Sequence, residues 1–258
     1  MEPGKLSDRR RWHASVQPDR RMPLQHSRPA ACRDHRIPPR TRIVSGAVRR
    51  GSGMMLVIGL TGGIATGKST TAAMIRDRGI PLHDADAAVH DIMAAGGLAT
   101  GPVAEAFGDD ILTADGAVDR QRLGRAVFAD SALRKRLEAI IHPLVADDRD
   151  RFLEMHRKAG APLVVLDIPL LFETGGDAIC DFVILCSAPD GIQRERALAR
   201  NGMTETKLDA ILASQMPLAE KRARANAEID TGSGLDKAEA MLDSILDGPV
   251  RQLRQETD

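Results

Sequence analysis

The segment Gly62–Ser69 combines three glycines with a lysine and a serine at a spacing that suits phosphate binding. Its sequence, Gly-Gly-Ile-Ala-Thr-Gly-Lys-Ser, fits the pattern G-x-x-x-x-G-K-[ST]. The glycines let the backbone wrap around an anion, so that successive N–H groups point at one polyphosphate. Lys68 would reach the β- and γ-phosphates of a nucleotide, and the Ser69 hydroxyl is suited to ligate Mg²⁺. The motif predicts a site for ATP or a similar nucleotide.

Three aspartates stand where they could serve the same chemistry. Asp84 and Asp86 lie two residues apart, and on an extended segment they would project to the same side. One of them could accept the proton of an attacking hydroxyl, while the other contacts the substrate or metal-bound water. Asp167 ends the apolar run Leu163–Asp167, which favours a role in holding Mg²⁺. Helix caps and an ordinary loop start are the structural alternatives.

Several basic side chains are candidate contacts for phosphate groups. Arg194, Arg196 and Arg200 follow a predicted strand, and arginines four apart share one helical face from which they could clamp a polyphosphate. A solvated helix face is the alternative for them. His142 could bind a substrate phosphate, although a histidine that ends a helix before a proline needs no function. Lys68, as an exposed loop residue, should matter more for turnover than for folding.

The elements around these residues alternate between apolar strands and helices. We predict strands at Met55–Leu60, Leu163–Asp167, Asp181–Cys186 and Ala227–Asp230. A further strand, the second in chain order, should end at Asp84–Asp86. We predict helices at Thr70–Gly79, Ala87–Ala95, Arg120–Phe128 and Ser131–Ile141, another from the His142-Pro143 break to Lys158, and one at Asp236–Leu246. This order predicts an α/β fold, a P-loop nucleoside-triphosphate hydrolase-type parallel five-stranded sheet flanked by helices. The candidate residues at the strand ends should converge in one cleft.

The first 54 residues differ in composition from the rest of the chain. They hold 13 Lys and Arg against 4 Asp and Glu, whereas residues 55–258 hold 23 against 32. We expect residues 1–54 to be a disordered extension, or to precede the start codon used in the cell. Organelle targeting and non-specific nucleic-acid binding are the alternatives. Residues 55–258 would then form one kinase-like domain.

Composition also bears on location and partners. No apolar run reaches the ~18–20 residues of a membrane span. The three cysteines are odd in number and lack paired metal spacing, which favours buried thiols in a reducing compartment. We therefore expect a cytoplasmic protein without a membrane or nucleic-acid partner. The sequence leaves the oligomeric state open.

The body of the chain resembles the dephospho-coenzyme A kinase family. The matching motifs are, in chain order, Leu60–Ile64, Gly67–Thr70, His83–Asp86, Ile141–Pro143, Asp167–Glu173, Gln215–Pro217 and Lys221-Arg222. They span about residues 55–247, which is nearly the whole body. The Pro-Leu-Leu-Phe-Glu run and the Asp-Ala-Asp element are far more selective than the phosphate loop. Three positions depart from the family pattern: Ala65-Thr66 stands where the family more often has Gly-Ser, and Thr231 stands where an Asn often follows the last strand.

The resemblance implies Mg·ATP-dependent phosphorylation of the ribose 3′-hydroxyl of dephospho-coenzyme A, the final step of coenzyme A biosynthesis. It implies an adenylate-kinase-like core with a helical substrate-binding region at about 87–160 and a lid at about 190–225. Asp86 would be the base, Lys68 would stabilise the transferring phosphoryl group, and Arg196 or Arg200 would be the lid arginine, with Arg196 our catalytic candidate. The implied substrate contacts are Thr61, Asp84 and His142, and the implied Mg²⁺ ligands are Ser69 and Asp167. The implied ATP contacts are Gly63, Ala65, Thr66, Gly67, Lys68, Ser69, Thr70 and Arg200.

Three other functions remain as alternatives to this interpretation. The first is another adenylate-kinase-like enzyme that phosphorylates a nucleoside monophosphate or a small polyol. The second is a nucleotide-binding switch, and the third is an ATPase that binds nucleic acid through its basic leader. Thr206–Asp209 fits T-K-x-D, the pattern by which regulatory GTPases recognise guanine. A regulatory GTPase is nevertheless not expected, because this segment continues the apolar period of a helix and does not follow a buried strand.

Overall fold

The computed structural model of the chain describes residues 55–128 and 130–256. The expectations for residues 1–54 lie outside these residues. Within them, five parallel strands form one sheet in the order β2-β3-β1-β4-β5. The strands are β1 (Leu56–Gly62), β2 (Leu82–Asp84), β3 (Leu163–Asp167), β4 (Phe182–Ser187) and β5 (Ala227–Asp230). The predicted α/β class and five-stranded parallel sheet are confirmed.

Helices cover both faces of the sheet. They are α1 (Lys68–Asp77), α2 (Ala85–Met93), α3 (Thr100–Phe107), α4 (Arg120–Phe128), α5 (Ser131–Lys158), α6 (Asp190–Leu198), α7 (Glu205–Ser214), α8 (Leu218–Arg224), α9 (Leu235–Ile245) and α10 (Arg251–Gln255). Short 3₁₀ turns occupy Asp109–Ile111, Gly176–Ile179 and Thr231–Ser233, and a π-helical turn occupies Leu246–Val250. No helix of the described residues is both long and apolar enough to cross a membrane.

The sequence explains why β1 and β4 lie inside the sheet. Every residue of both strands is buried, as expected for parallel strands that are covered on both faces. One face packs against α1 and α9, where Ile75 and Leu242 join Ile58 and Ile184 in the main core. The other face packs against the C-terminal half of α5 through Phe152. The N-terminal half of α5 belongs to a second core with α2, α3 and α4.

The predicted break at His142-Pro143 is wrong. A single helix of 28 residues, α5, continues through Pro143. Proline removes one backbone donor and clashes with the preceding turn, which costs about 3 kcal/mol in a helix interior. The helix survives this cost because Ile141 is buried in the second core while Phe152 packs under the sheet. Packing along both halves therefore outweighs the local penalty.

The carboxyl ends of the strands meet at one edge of the sheet, as predicted. Asp167 at the end of β3 is in register with Asp84 of β2 on one side and with Leu60 of β1 on the other. Ser187 at the end of β4 is in register with Asp230 of β5. The loop after β1 therefore lies between two rows of polar strand ends.

Candidate active site

The phosphate loop joins the end of β1 to the start of α1 in an open turn. The Thr66 N–H donates to the carbonyl of Gly63 at 3.4 Å, and Gly67 has a φ of +82°, in the left-handed region. A side chain at Gly62 would collide with the carbonyl oxygen of Cys186, because that oxygen would lie 2.8 Å from a Cβ. Since α1 begins at Lys68 and no side chain of the described residues caps it, the N–H groups of its first turn are available to bind an anion.

Lys68 forms an ion pair with Asp167 beneath the loop. Its Nζ atom lies 2.6 Å from Oδ1 of Asp167, and the two side chains are only 13% and 3% exposed. The expectation that Lys68 is an exposed loop residue is therefore wrong, because β3 places a carboxylate directly under it. Burial raises the pKa of Asp167, and the nearby charges of Asp84 and Asp86 raise it further, while Lys68 opposes both effects.

Asp84 and Asp86 have different environments, which their spacing did not reveal. Asp84 ends β2 and caps α2, because its Oδ1 accepts from the N–H groups of Asp86 and Ala87. Its Oδ2 pairs with Arg76 at 3.2 Å. Asp86 lies in the first turn of α2 and not on an extended segment, so that part of the prediction is wrong. Within the described chain, the Asp86 carboxylate makes no ion pair or side-chain hydrogen bond.

The three arginines of α6 and of the turn after it have different environments. Arg196 donates to the hydroxyl and the carbonyl oxygen of Thr231, both at 2.9 Å, and lines the cavity above the phosphate loop. Arg200 lines the same cavity and has no ion pair among the described residues. Arg194 instead pairs with Glu205 and Asp209 of α7. The structure thus brings Arg196 and Arg200 to the site and leaves Arg194 outside it.

Two of the predicted substrate residues lie away from the open cleft. Thr61 is fully buried, and its hydroxyl donates to the carbonyl of Pro169 at 3.0 Å, which ties the end of β1 to the turn after β3. His142 is exposed on α5. Neither residue is in the wall of the two cavities that contain the phosphate loop and the aspartates. Direct substrate contacts by Thr61 and His142 stay predictions.

Two cavities of about 550 Å³ each adjoin at the phosphate loop. The first, here the nucleotide cavity, is lined by all of the predicted ATP contacts, namely Gly63, Ala65, Thr66, Gly67, Lys68, Ser69, Thr70 and Arg200. The second, here the acceptor cavity, is lined by residues that include Asp84, Asp167, Arg76 and Arg120. Lys68, Ser69 and Asp86 line both cavities. These three side chains therefore stand where two bound molecules would meet.

The donor set at this junction fits Mg²⁺. The Ser69 hydroxyl and the Asp167 carboxylate are oxygen donors on the wall of the acceptor cavity, beside the phosphate loop. Among the described residues, no group of three or more His, Cys, Asp or Glu side chains could hold a metal. Mg²⁺ in phosphoryl-transfer sites is usually bound by one or two protein oxygens together with substrate phosphates. A sparse protein ligand set is therefore what this ion requires.

Sequence reasoning missed several residues that shape the site. The Thr231 hydroxyl lies 2.9 Å from the carbonyl oxygen of Thr66 and receives a bond from Arg196, so it joins the loop to the arginine. Arg120 and His90 bring basic groups to the acceptor cavity, 3.2 Å apart. No motif marks Arg120 or His90. Thr231 is marked in the sequence only as a departure from the family pattern, directly after the last strand, and its bonds to the phosphate loop and to Arg196 were not expected.

Comparisons with known proteins show which family the chain resembles. A family model for dephospho-CoA kinase (CoaE) matches residues 56–237. A dephospho-CoA kinase from Mesorhizobium japonicum is 54% identical over 193 residues, which are 75% of this chain and 96% of that protein. One from Paramagnetospirillum magneticum is 57% identical over 169 residues, 65% of this chain and 78% of that protein. The crystal structure of TT1252 from Thermus thermophilus has 34% identity and a TM-score of 0.65, covering 76% of this chain and 98% of that one.

A second solved structure supports the fold alone. The dephospho-CoA kinase from Campylobacter jejuni is 23% identical to this chain, with a TM-score of 0.59, and the match covers 80% of this chain and all of that one.

Proposed function

This chain belongs to the dephospho-CoA kinase family, and we propose that its two cavities divide that family's reaction between a nucleotide and an acceptor. The enzyme is a P-loop kinase that catalyses the ATP-dependent phosphorylation of dephospho-CoA in coenzyme A biosynthesis. Within the same proposal, we assign the steps of this reaction to individual residues of the two cavities.

The nucleotide cavity takes the triphosphate of ATP. The backbone N–H groups of the loop and of the first turn of α1 bind the phosphates, and Lys68 neutralises charge on them. Arg196 and Arg200 line the same cavity, where a guanidinium suits a phosphate that gains charge in the transition state. The bonds from Arg196 to Thr231 support this assignment, because they hold the guanidinium in place before the substrate arrives.

The acceptor cavity takes dephospho-CoA with its ribose 3′-hydroxyl at the junction. One observation carries this assignment: Asp86 lines both cavities, and its carboxylate is unpaired within the described chain, whereas that of Asp84 is occupied by the α2 cap and Arg76. Asp86 is therefore the better candidate for the base. Asp84 remains the candidate that faces the substrate from the same wall, and Arg120 suits the phosphates that this acceptor carries.

The reaction at this junction is an in-line phosphoryl transfer. The 3′-hydroxyl oxygen attacks the γ-phosphorus, its proton passes to the Asp86 carboxylate, and the bond from phosphorus to the β–γ bridging oxygen breaks to release ADP. Lys68 lies on the path of the transferring group and stabilises its charge. The buried partner Asp167 keeps the ammonium of Lys68 at one place, which limits the reorganisation that the reaction requires.

Mg²⁺ belongs to this proposal as the ion that accompanies ATP. The Ser69 hydroxyl and the Asp167 carboxylate would hold it, directly or through water. When bound, the ion neutralises charge on the β- and γ-phosphates. The pairing with Lys68 engages one oxygen of Asp167 and leaves the other available to such an ion.

The setting of the enzyme is a further part of the proposal. We place it in the cytoplasm, in keeping with Cys180 and Cys186, which are both free thiols. A helical substrate region at about 87–160 is supported by the apolar cluster that α2, α3 and α4 form with the N-terminal half of α5. A lid at about 190–225 is supported by the cluster in which Ala197 of α6 and Leu208 of α7 pack on Ala65 of the phosphate loop. Residues 1–54 are expected to be dispensable for catalysis, so a protein that begins at Met54 should retain full turnover.

The proposal is tested by an acceptor competition. Purified protein is incubated with ATP and Mg²⁺, and ADP release is followed with dephospho-CoA, AMP or gluconate, or with no acceptor. We expect dephospho-CoA alone to accelerate ADP release, with a product that is heavier by one phosphoryl group and phosphorylated at the ribose 3′ position by phosphorus NMR. Turnover that is faster with AMP or gluconate would support the rival kinase. Hydrolysis that no acceptor accelerates would favour a nucleotide switch.

A further inference from the structure

Two glutamines hold the peptide groups of Ile64 in the phosphate loop. The Ile64 N–H donates to Oε1 of Gln215 at 3.3 Å, and the Ile64 carbonyl accepts from Nε2 of Gln193 at 2.8 Å. Both side chains come from the region after β4, since Gln193 lies in α6 and Gln215 caps the C-terminal end of α7. The loop is thus held from outside by an amide pair, here called the glutamine clamp.

The residue after the clamped Ile64 has an unusual backbone. Ala65 has a φ of +57°, and it is the one non-glycine residue of the described chain with a positive φ. The left-handed region is disfavoured for alanine because its Cβ approaches the carbonyl oxygen. Such a conformation persists where the surrounding structure holds it in place. A short loop with an unrestrained alanine would instead relax and turn its N–H groups away from the phosphates.

The clamp is placed to provide that restraint. Gln193 and Gln215 approach so closely that a Cβ at Gly63 would lie only 3.1 Å and 3.3 Å from their amide groups, so the absence of a side chain at Gly63 eases their approach. The buried methyl of Ala65 packs against Ala197 of α6 and Leu208 of α7. Fixing both peptide groups of Ile64 limits the rotation of the Ile64–Ala65 peptide. The clamp and the apolar contact therefore act on the same turn.

The clamp is itself anchored on one side. Met216, next to Gln215, donates its N–H to Oε1 of Glu173 at 2.9 Å, and the same Oε1 pairs with the buried Lys221 at 2.8 Å. Gln215 also lines the nucleotide cavity. Its amide is therefore a fixed part of the wall next to the phosphates.

We propose that Gln193 and Gln215 are positioning residues that keep Ala65 in its left-handed conformation and so preorganise the loop for the phosphates of ATP. The proposal rests on the proposed function only in that ATP is the ligand of this cavity. It predicts that the clamp matters because residue 65 is an alanine. A glycine there adopts a positive φ without penalty and would need the clamp far less.

A double-mutant cycle tests this coupling. ATP affinity is measured by calorimetry without any acceptor for the wild type, Gln215→Ala, Ala65→Gly and the double variant. We expect Gln215→Ala to weaken ATP binding roughly tenfold, the effect of losing one positioned hydrogen bond and the order it imposes. In the Ala65→Gly background the same change should cost less than about threefold. Gln193→Ala is the second probe and should show the same pattern. It tests the proposal independently if Gln215→Ala fails to fold.

Several controls separate this role from a general loss of structure. Gln252→Ala, on the exposed side of α10, should leave ATP affinity unchanged. With saturating dephospho-CoA, the clamp variants should raise the KM for ATP while kcat changes less than about threefold, since their effect is on nucleotide binding. Because calorimetry needs no acceptor, a failed acceptor assay would count against the proposed function and not against the clamp.

Three results would overturn the proposal. The first is an equal loss of affinity on Gln215→Ala with and without Ala65→Gly, which would show no coupling between clamp and backbone. The second is unchanged ATP affinity in both clamp variants. The third is a loss of more than about tenfold on Ala65→Gly alone, which would show that the alanine methyl, and not the clamp, shapes the loop.

Discussion

The buried ion pair between Glu173 and Lys221 offers a sharp test of how the region after β4 is held. The Lys221 side chain is 2% exposed, that of Glu173 is 18% exposed, and the charged atoms are 2.8 Å apart. Burial, the largest single influence, raises the pKa of Glu173, but Lys221 and the Met216 N–H outweigh it, so this pKa lies below its ordinary value. Glu173→Gln keeps the shape and one acceptor oxygen but removes the charge.

The expected loss of stability follows from the burial of the lysine. Lys221 Nζ makes no hydrogen bond to any other described group, so Glu173 alone neutralises it. Removing one partner of a fully buried pair costs about 3–5 kcal/mol. Because Glu173 is partly exposed, water screens some of this cost, and we expect the free energy of unfolding to fall by about 2 kcal/mol. For a body of this size that lowers the Tm by roughly 4–8 °C.

The pH dependence of this loss has a definite sign. A carboxylate whose pKa is lowered by folding contributes stability above its unfolded value, here near 4.5, and that stability is lost as the pH falls through the folded pKa. The difference between wild type and Glu173→Gln should therefore be full at pH 7 and shrink below about pH 4.5. Urea unfolding at pH 7 and at the lowest pH where both proteins fold measures both values.

Two further variants make the result interpretable. Glu154→Gln removes the same charge from an exposed pair with Arg157 and Lys158, and its Tm should stay within about 1 °C of the wild type. Replacing both buried partners, Glu173→Leu with Lys221→Met, should recover most of the loss because no buried charge is then left unpaired. This reasoning would be refuted by a Glu173→Gln variant that is as stable as the wild type at pH 7. It would also be refuted if the difference in the free energy of unfolding between the two proteins did not change with pH.

Other substitutions probe the site directly. Asp86→Asn should keep ATP affinity while lowering kcat roughly 10²–10⁴-fold, and near-normal turnover would exclude it as the base. Lys68→Ala should lower kcat by about 10³ and also lower the Tm, since it leaves the buried Asp167 without a cation; an unchanged Tm in calorimetry would contradict the buried pairing. Thr231→Val should raise the KM for ATP about tenfold by releasing the guanidinium of its arginine partner, and an unchanged KM would contradict that link. Arg120→Ala should raise the KM for dephospho-CoA several-fold and leave the KM for ATP unchanged. Equal changes in both KM values would contradict a role of Arg120 in binding the acceptor.

Much of the fold is encoded locally and could be predicted from short segments. The buried run of β1, the phosphate loop and the start of α1 follow one another directly. This short segment is therefore enough to predict a strand, a loop and a helix in that order, and a phosphate-binding site between the strand and the helix. Asp167 was likewise predictable, because it ends the apolar strand β3. Parallel strands of one sheet have their carboxyl ends at the same edge, which is why the order of strands and helices was enough to bring these residues together.

Other features depend on contacts that no local pattern carries. The Thr231 hydroxyl reaches the carbonyl of Thr66, 165 residues earlier in the chain, and nothing in the composition of either segment marks this pair. The arginines show the same limit. Helical spacing separates Arg194 from Arg196, which lie two residues apart and so on different faces of α6, but it does not tell which of the two faces meets α7 and which meets Thr231.

Asp84 at the end of β2 and Asp86 in α2 show how the start of one helix separates two neighbouring carboxylates. Had the strand continued to residue 86, as expected, both carboxylates would have been equally placed and equally suited to be the base. Instead α2 begins at Ala85, so Asp84 caps the helix through two backbone N–H groups. Asp86 is then turned into the open cleft without a partner of its own in the described chain, beside Lys68 and Ser69. Both oxygens of Asp84 are engaged, whereas the carboxylate of Asp86 is open to a hydroxyl group of a bound acceptor. Our proposal of Asp86 as the base thus depends on where the capping interaction falls, which the Asp-Ala-Asp spacing by itself does not determine.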